Sequence, residues 1–309
     1  MSGTYKATGI TLKSIPFGES DRLLTILTPE VGLVRAIAPS ARKHQSRLRG
    51  RSGIFVVNEL LLSKGRSLDK VLQADSLGSF PKLSQNLGKL TAGQYLAELA
   101  LCQALSQQPQ AELFTLLREH LERLERCLPE ATPAFLVHGI FHLLALEGIA
   151  PQVRTCGLTQ TPLHPVLSDT SWQVGFDPSI GGAFRLEAME PSPLPPSPNA
   201  SPSASPNASL DGGRLGETNS AIRPRVRQPK RIYRRLTALQ LLLLQQLSEA
   251  ELLQPDGGLL PAIASEVLGD PQAPVDKAVW LLLERILRQY LQYHLDQTIH
   301  SAALIESCF

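Results

Sequence analysis

The chain has 309 residues and a formal net charge of +2, so any basic surface must be local and balanced elsewhere. Its four cysteines (Cys102, Cys127, Cys156 and Cys308) are far apart and form no CxxC pair, which argues against a disulfide framework or a four-cysteine zinc site. The N-terminus lacks an apolar signal core and the longest aliphatic run, Leu241–Leu244, is too short to span a bilayer. The expectation is a soluble cytoplasmic protein of about two domains with no membrane partner.

Residues 1–80 read as strands. Tyr5–Ile15 mixes β-formers with polar residues, and Arg22–Thr28 is a short apolar run. Pro29-Glu30-Val31-Gly32 supplies turn chemistry before a return strand at Leu33–Ala38, predicting a hairpin. Ile54–Ser63 and Val71–Ser76 follow as the fourth and fifth strands. Five short strands cannot bury both faces of an open sheet, whereas a small closed barrel of the OB type can.

From Arg35 in the third strand to Arg51, short of the fourth, runs the densest basic stretch. Arg35, Arg42, Lys43, Arg47, Arg49 and Arg51 occur there, and no acid falls between Glu30 and Glu59. Unneutralised cations repel one another and make poor core material, so the segment is expected to be solvated. Several cations on a rigid barrel are what a phosphate backbone needs, and these six residues are the first candidate nucleic-acid contacts. An ordinary solvated hairpin loop is the plain alternative.

From Ser84 the apolar period becomes helical. Leu87–Leu105 forms one broad apolar face after a cap at Ser84 or Asn86, and Ala111–Leu128 follows the break at Pro109. Thr132-Pro133 reads as a cap and first-turn proline for a third helix ending at Gly148. Residues 151–190 read as irregular. The Pro/Ser-rich segment that follows is expected to be a disordered linker over 191–234, with a basic end at Ile222–Arg235. Arg223, Arg225, Arg227 and Arg231 are the second candidate set, and this run is expected to lead directly into a helix at Thr237–Gln254. A last long helix is expected from Pro274 to about His300. The helices after 235 carry so much leucine that they should fold back on those of 84–150 as one helical domain.

Little points to catalysis. His138 and His142 have the i, i+4 spacing of two zinc ligands, but Gly139 stands where a zinc protease would carry its glutamate. A metal hydrolase using this pair is a minor alternative. No phosphate loop, nucleophile elbow or carboxylate pair appears, and no cofactor is expected.

Four pieces in order carry a family resemblance: Gly18-Glu19-Ser20-Asp21-Arg22-Leu23-Leu24-Thr25, Thr28–Ala38, Ala41-Arg42-Lys43 with Ser46-Arg47-Leu48, and Leu287–Leu295. With them the chain resembles the RecO family of bacterial recombination mediators over about 1–185 and 235–305, with the Pro/Ser segment as an insertion. The resemblance implies an α+β protein: an N-terminal five-stranded OB-type barrel at 1–80, a helical domain at 84–150 plus 235–309, and a zinc-module-like insertion at 151–190. It implies binding of single- and double-stranded DNA, annealing of complementary strands and help in loading RecA. Implied partners are RecR and the C-terminal tail of single-stranded DNA-binding protein, in a cytoplasmic, nucleoid-associated setting and without enzymatic activity. That acidic, apolar-ended tail calls for an apolar groove with cations at its lip, for which Arg118, Arg123 and Arg126 are placed on a leucine-rich helix. Many members carry four zinc-binding cysteines, but here Cys156-Gly157-Leu158-Thr159 keeps one and Gly181-Gly182 keeps only glycines, so no metal is expected. An RNA-binding OB protein of ribosome maturation would share the basic barrel and stays open as the other alternative.

Overall fold

The computed structural model describes residues 3–189, 233–269 and 275–309. Five strands, β1 (Thr4–Phe17), β2 (Asp21–Thr28), β3 (Gly32–Ala38), β4 (Val57–Ser63) and β5 (Asp69–Gly78), close a barrel in the order β1-β2-β3-β5-β4. All neighbours are antiparallel except β3 and β5, whose short parallel contact pairs Ala36 with Asp69 and Ile37 with Lys70. Closure removes the edges that five strands would otherwise expose. Inward-facing Ala7, Leu24, Ile26, Val34, Ala36, Leu60, Leu62 and Val71 fill the interior.

The expected hairpin is present, with Arg22 opposite Ala38 and Thr28 opposite Gly32. The fourth strand starts at Val57 rather than Ile54, because Phe55 takes a left-handed φ of +61° and turns its ring inward. The connection from β3 is not an open loop throughout. One helical turn, α1 (Leu48–Arg51), interrupts it, and Leu48 rests on the barrel core.

Helices α2 (Leu87–Gln103), α3 (Ala111–Arg126) and α4 (Thr132–Leu146) follow. Asn86 caps α2 by accepting from the Lys89 N–H. Thr132 does not cap α4 as expected. It already has helical angles, and its hydroxyl donates to the Pro129 carbonyl of a preceding 3-10 turn. After β6 (Gln173–Asp177) and β7 (Gly182–Phe184) come β8 (Arg234–Thr237), α5 (Ala238–Gln246), α6 (Pro261–Leu268), α7 (Lys277–Leu295) and α8 (Ala302–Cys308). Four expectations are corrected here. Residues 151–190 hold two strands; Arg234–Thr237 is a strand before it becomes a helix; the helix it leads into stops at Gln246; and the last helix ends at Leu295, where Asp296 turns left-handed, before the separate α8. Thr237 caps α5 as expected, within a reciprocal capping box with Gln240.

α7 packs on α4, and α8 on α2, so the late helices do cover the early ones. Their common core includes Tyr95, Leu96, Leu121, Leu136, Ile140, Leu244, Leu283 and Leu287. It also takes in Ile10, Leu12, Leu27 and Phe55 from the barrel, so the mouth of the barrel is plugged by helices. Backbone bonds seal this joint: the Leu33 N–H donates to the Leu105 carbonyl (2.9 Å) and the Gln110 N–H to that of Pro29 (3.0 Å). Gly32 lies there at φ +71°, where a Cβ would fall 2.2 Å from the Leu105 carbonyl oxygen. No helix among the described residues is long and apolar enough to cross a membrane.

Candidate nucleic-acid interface

The connection after β3 is held to the barrel at its start. Ser40, at φ +54°, donates its N–H to Asp21 Oδ1 at 2.7 Å. That bond holds the Asp21 carboxyl below its ordinary range against the opposing effect of burial, with smaller help from the Ser20 hydroxyl and the charges of Lys43 and Lys70. Arg42 is a clasp: its N–H donates to the Ser20 carbonyl, and its guanidinium donates to those of Gly18 (3.2 Å) and Glu19 (3.1 Å). Arg51 is half-buried, lies 3.7 Å from Asp75 and lends its carbonyl to Asn58 Nδ2. Lys43, Arg47 and Arg49 are exposed and form no ion pair among the described residues. Of the six candidates, these three and Arg35 have charges not engaged by a carboxylate or carbonyl among the described residues.

Arg35 lies on β3 itself, exposed, and register places it in a wider surface. Lys13 is opposite Thr25 and Thr25 opposite Arg35; Ile15 is opposite Leu23, Leu23 opposite Ile37, and Ile37 opposite Lys70. Directly opposed residues share a face of a sheet. Lys13, Ile15 and Phe17 alternate along one side of β1, and Ile15 and Phe17 remain 40% and 41% exposed. Two exposed apolar side chains thus share an outer face with Lys13, Arg35 and Lys70, Asp21 lying opposite Phe17, and these are the kinds of group that base stacking and phosphate contacts use. In OB barrels this outer face of the early strands is the usual oligonucleotide surface. The sequence reading missed Lys13, Ile15, Phe17 and Lys70. Their alternation up to Gly18 was a usable signal, although it did not reveal which strand would lie alongside.

Past Arg35 a cleft of about 540 Å³ continues the surface, lined by Tyr5, Lys6, Arg35, Lys64 and Gln107 among others. Asp69 organises its wall. It takes a short hydrogen bond from the Tyr5 hydroxyl and a 3.0 Å bond from the Gly65 N–H, and lies 3.6 Å from Lys64 Nζ. Burial, then the hydrogen bond and charge of Asp69, push the Tyr5 phenol well above its ordinary range, so it stays a donor.

Of the second basic set, Arg223, Arg225, Arg227 and Arg231 lie outside the described residues. Arg234 and Arg235, which follow, are exposed on β8 and donate to Gln289 (2.9 Å) and Gln173 (3.4 Å).

His138 and His142 do come together, joined by His120 of α3. His120 Nε2 and His142 Nδ1 are 3.0 Å apart, and His138 Nε2 is 2.8 Å from the Glu249 carbonyl. One nitrogen of each ring is thus engaged by another imidazole or by backbone, while His120 Nδ1, His138 Nδ1 and His142 Nε2 are buried without a partner. Among the described residues no group of three or more ligating side chains could hold a metal ion, as a metal hydrolase would require. Burial pushes all three imidazoles down, His138 to about 3, with the neighbouring histidines and Arg123 adding to it.

The zinc implied for this family does not fit either. Cys156 is buried in a turn where burial alone would raise its thiol, but the Thr159 hydroxyl and the N–H groups of Arg185, Thr159 and Leu158 bring it below the ordinary range. Backbone bonds then link the two turns that would share a metal: Gly157 N–H to the Ala183 carbonyl (2.9 Å) and Gln152 N–H to that of Gly181 (2.9 Å).

A second cleft, about 320 Å³, opens beside α3. Arg123 and Arg126 stand with Phe135, Leu252, Leu253 and Pro255 along it. Both arginines have i, i+4 carboxylates, Arg123 with Glu119 at 4.0 Å and Arg126 with Glu122 at 3.4 Å, while Arg118 pairs with Glu122 at 3.4 Å. Such surface pairs are worth about 0.3–0.5 kcal/mol and exchange readily for another carboxylate.

Comparison with known proteins agrees with this architecture. The family Recombination protein O N terminal matches residues 1–80, and Recombination protein O C terminal matches residues 84–190. The chain is 47% identical to the DNA repair protein RecO of Nostoc sp. (strain PCC 7120), over 100% of this chain and 97% of that protein. It is 45% identical to DNA repair protein RecO of Gloeothece citriformis, over 99% and 98%. To that of Acaryochloris marina it is 47% identical, over 100% and 96%. A barrel of this order, a helical region behind it and relatives matched along nearly their whole length lead to one conclusion: the chain belongs to the RecO family of DNA repair proteins.

Proposed function

We propose that this chain is a non-enzymatic recombination mediator. It binds single- and double-stranded DNA, anneals complementary strands and helps load RecA in recombinational repair. One observation carries the reading: exposed Phe17 and Ile15 share a barrel face with Lys13, Arg35 and Lys70, and the connection after β3 adds the unpaired Lys43, Arg47 and Arg49. Bases stack on the apolar patch while cations follow the phosphates, which is sequence-tolerant recognition. Two strands held on one basic surface no longer repel each other fully, and pairing between them speeds up. Full-length relatives named as DNA repair proteins favour DNA over the ribosomal alternative.

The proposed partners follow the same chemistry. The acidic tail of single-stranded DNA-binding protein enters the cleft beside α3, its carboxylates on Arg123 and Arg126 and its apolar end against Phe135 and Leu252. RecR is the partner expected from the family, and the setting is the cytoplasm at the nucleoid.

Competition between matched DNA and RNA strands, with annealing followed in the same samples, tests the reading. Binding should fall with salt by a log–log slope of about −0.7 per single-strand phosphate neutralised. Replacing Lys43, Arg47 and Arg49 with alanine should flatten that slope, and an unchanged slope would remove the basic connection from the interface. Annealing of coated strands should slow when the coat protein lacks its tail; an equal rate would vacate the α3 cleft.

A further inference from the structure

The small sheet β7-β6-β8 borders a cleft of about 360 Å³ that the barrel reading leaves unused. Its walls include Trp172, just before β6, Arg185, just after β7, and Arg235 on β8. Trp172 is half-buried, packed on the common core and lining the cleft. A tight turn fixes it: Asp169 accepts from the Ser171 N–H (2.9 Å) and hydroxyl (2.7 Å), and the Trp172 N–H donates to the Asp169 carbonyl (3.1 Å). The Asp169 carboxylate is therefore occupied, and its ordinary value is lowered by those same Ser171 bonds.

The two arginines are exposed and have no carboxylate partner among the described residues. Arg185 donates to the Pro162 carbonyl at 2.9 Å and Arg235 only weakly to Gln173 at 3.4 Å. β7 and β8 flank β6, so their strands are roughly 10 Å apart. Two extended arginine side chains can meet on one anion across that distance. Among the lining residues His164, Ser171 and Gln173 add a polar rim, and Glu187 is the remaining acid. A peptide would not need a planar ring flanked by two unneutralised guanidinium groups; an unpaired base with its phosphate does. A duplex hides its base faces and could not use the ring.

We propose that this cleft takes one unpaired nucleotide of single-stranded DNA, its base on the Trp172 indole and its phosphate between Arg185 and Arg235. It is a second strand contact, separate from the barrel face, and it rests on the reading that the chain binds single-stranded DNA. A strand held at both places is drawn across the molecule instead of coiling at one spot, which leaves intervening bases open for pairing.

The chain has two tryptophans, and Trp280 is buried at 3% exposure, so emission separates the two. The full chain is titrated with oligodeoxythymidylate, following tryptophan emission and, with labelled oligonucleotide, anisotropy. Emission should fall in step with anisotropy. Trp172→Phe should lose that quench yet keep its circular dichroism, and Trp172→Ala should bind about tenfold more weakly. Arg235→Gln should lower the salt slope by about 0.7. Saturating anisotropy with unmoved emission, or unchanged affinity in Trp172→Ala, overturns the cleft and leaves the barrel reading intact. No anisotropy change in the wild type overturns both. Replacing Lys43, Arg47 and Arg49 should weaken anisotropy while the quench persists at higher oligonucleotide concentration, and its persistence assigns the quench to the cleft alone.

Discussion

The barrel and the helical bundle handle charge in opposite ways. The barrel keeps Lys13, Lys43, Arg47, Arg49 and Lys70 on the outside and buries one charged side chain, Asp69, around an aliphatic core. The bundle buries Lys89, His120, His138 and Glu284, each at most 5% exposed, and ties the lysine and His138 to backbone carbonyls. A region whose charges face water can lose them without unfolding and is free to spend them on a ligand. A region whose charges are buried uses them as fasteners, and changing one changes stability.

The sharpest way to break that contrast is Lys89→Met. Lys89 Nζ donates to the carbonyls of Glu125 (3.0 Å) and Cys127 (2.5 Å), closing the C-terminus of α3. Loss of two charge-assisted bonds to buried carbonyls should cost about 3 kcal/mol in urea denaturation. A cost below that of a surface change would remove Lys89 from the fasteners.

Acid should act in the same direction. The folded state depresses the three imidazoles below their unfolded value, so their contribution is full above about pH 6.5 and is lost as pH falls toward the folded values, about 3 for His138. Glu284 opposes them. Burial raises it to about 7 against the pull of Arg288, so its contribution is full below the unfolded value and disappears as pH rises through 7. Three groups outweigh one, and unfolding between pH 7 and 5 should take up protons, each costing about 1.4 kcal/mol per pH unit. A denaturation midpoint that holds or climbs over that range would show the imidazoles are not kept neutral.

Within the barrel, Arg42→Ala should cost about 1 kcal/mol, because it removes the clasp on Gly18 and Glu19. Arg47→Ala and Arg49→Ala should each change stability by less than about 0.5 kcal/mol while lowering DNA affinity. A similarly small effect belongs to Arg126→Ala, about 0.3–0.5 kcal/mol from its pair with Glu122. A tail peptide titrated against that variant should nevertheless bind more weakly; equal affinity would separate the arginine from the cleft's ligand.

The barrel was legible because its signals are local: Pro29–Gly32 for one hairpin, alternation for each strand, and an acid-free stretch between two apolar runs. The small sheet was not, because β6 finds its partner at Arg234–Thr237, far along the chain, and Gln173–Asp177 has no period of its own. The His120–His142 contact was hidden for the same reason: helical spacing showed the pair on α4, and only packing brings α3 against it. Arg42 and Arg51 looked like free cations, since nothing in a sequence tells a solvated arginine from one folded back on nearby carbonyls or a facing aspartate. Phe17 was passed over because a single aromatic at a strand end reads as core until register shows its exposed side.

The joint between barrel and helices has a use in measurement. The amides of Leu33, in β3, and Gln110, at the start of α3, donate across it to Leu105 and Pro29 rather than within their own strand pair or helix. Their exchange with deuterated solvent therefore times the parting of the two regions rather than the melting of either. Strand binding on the barrel that is felt by the helices would slow both amides together, a label-free clock already built into the backbone.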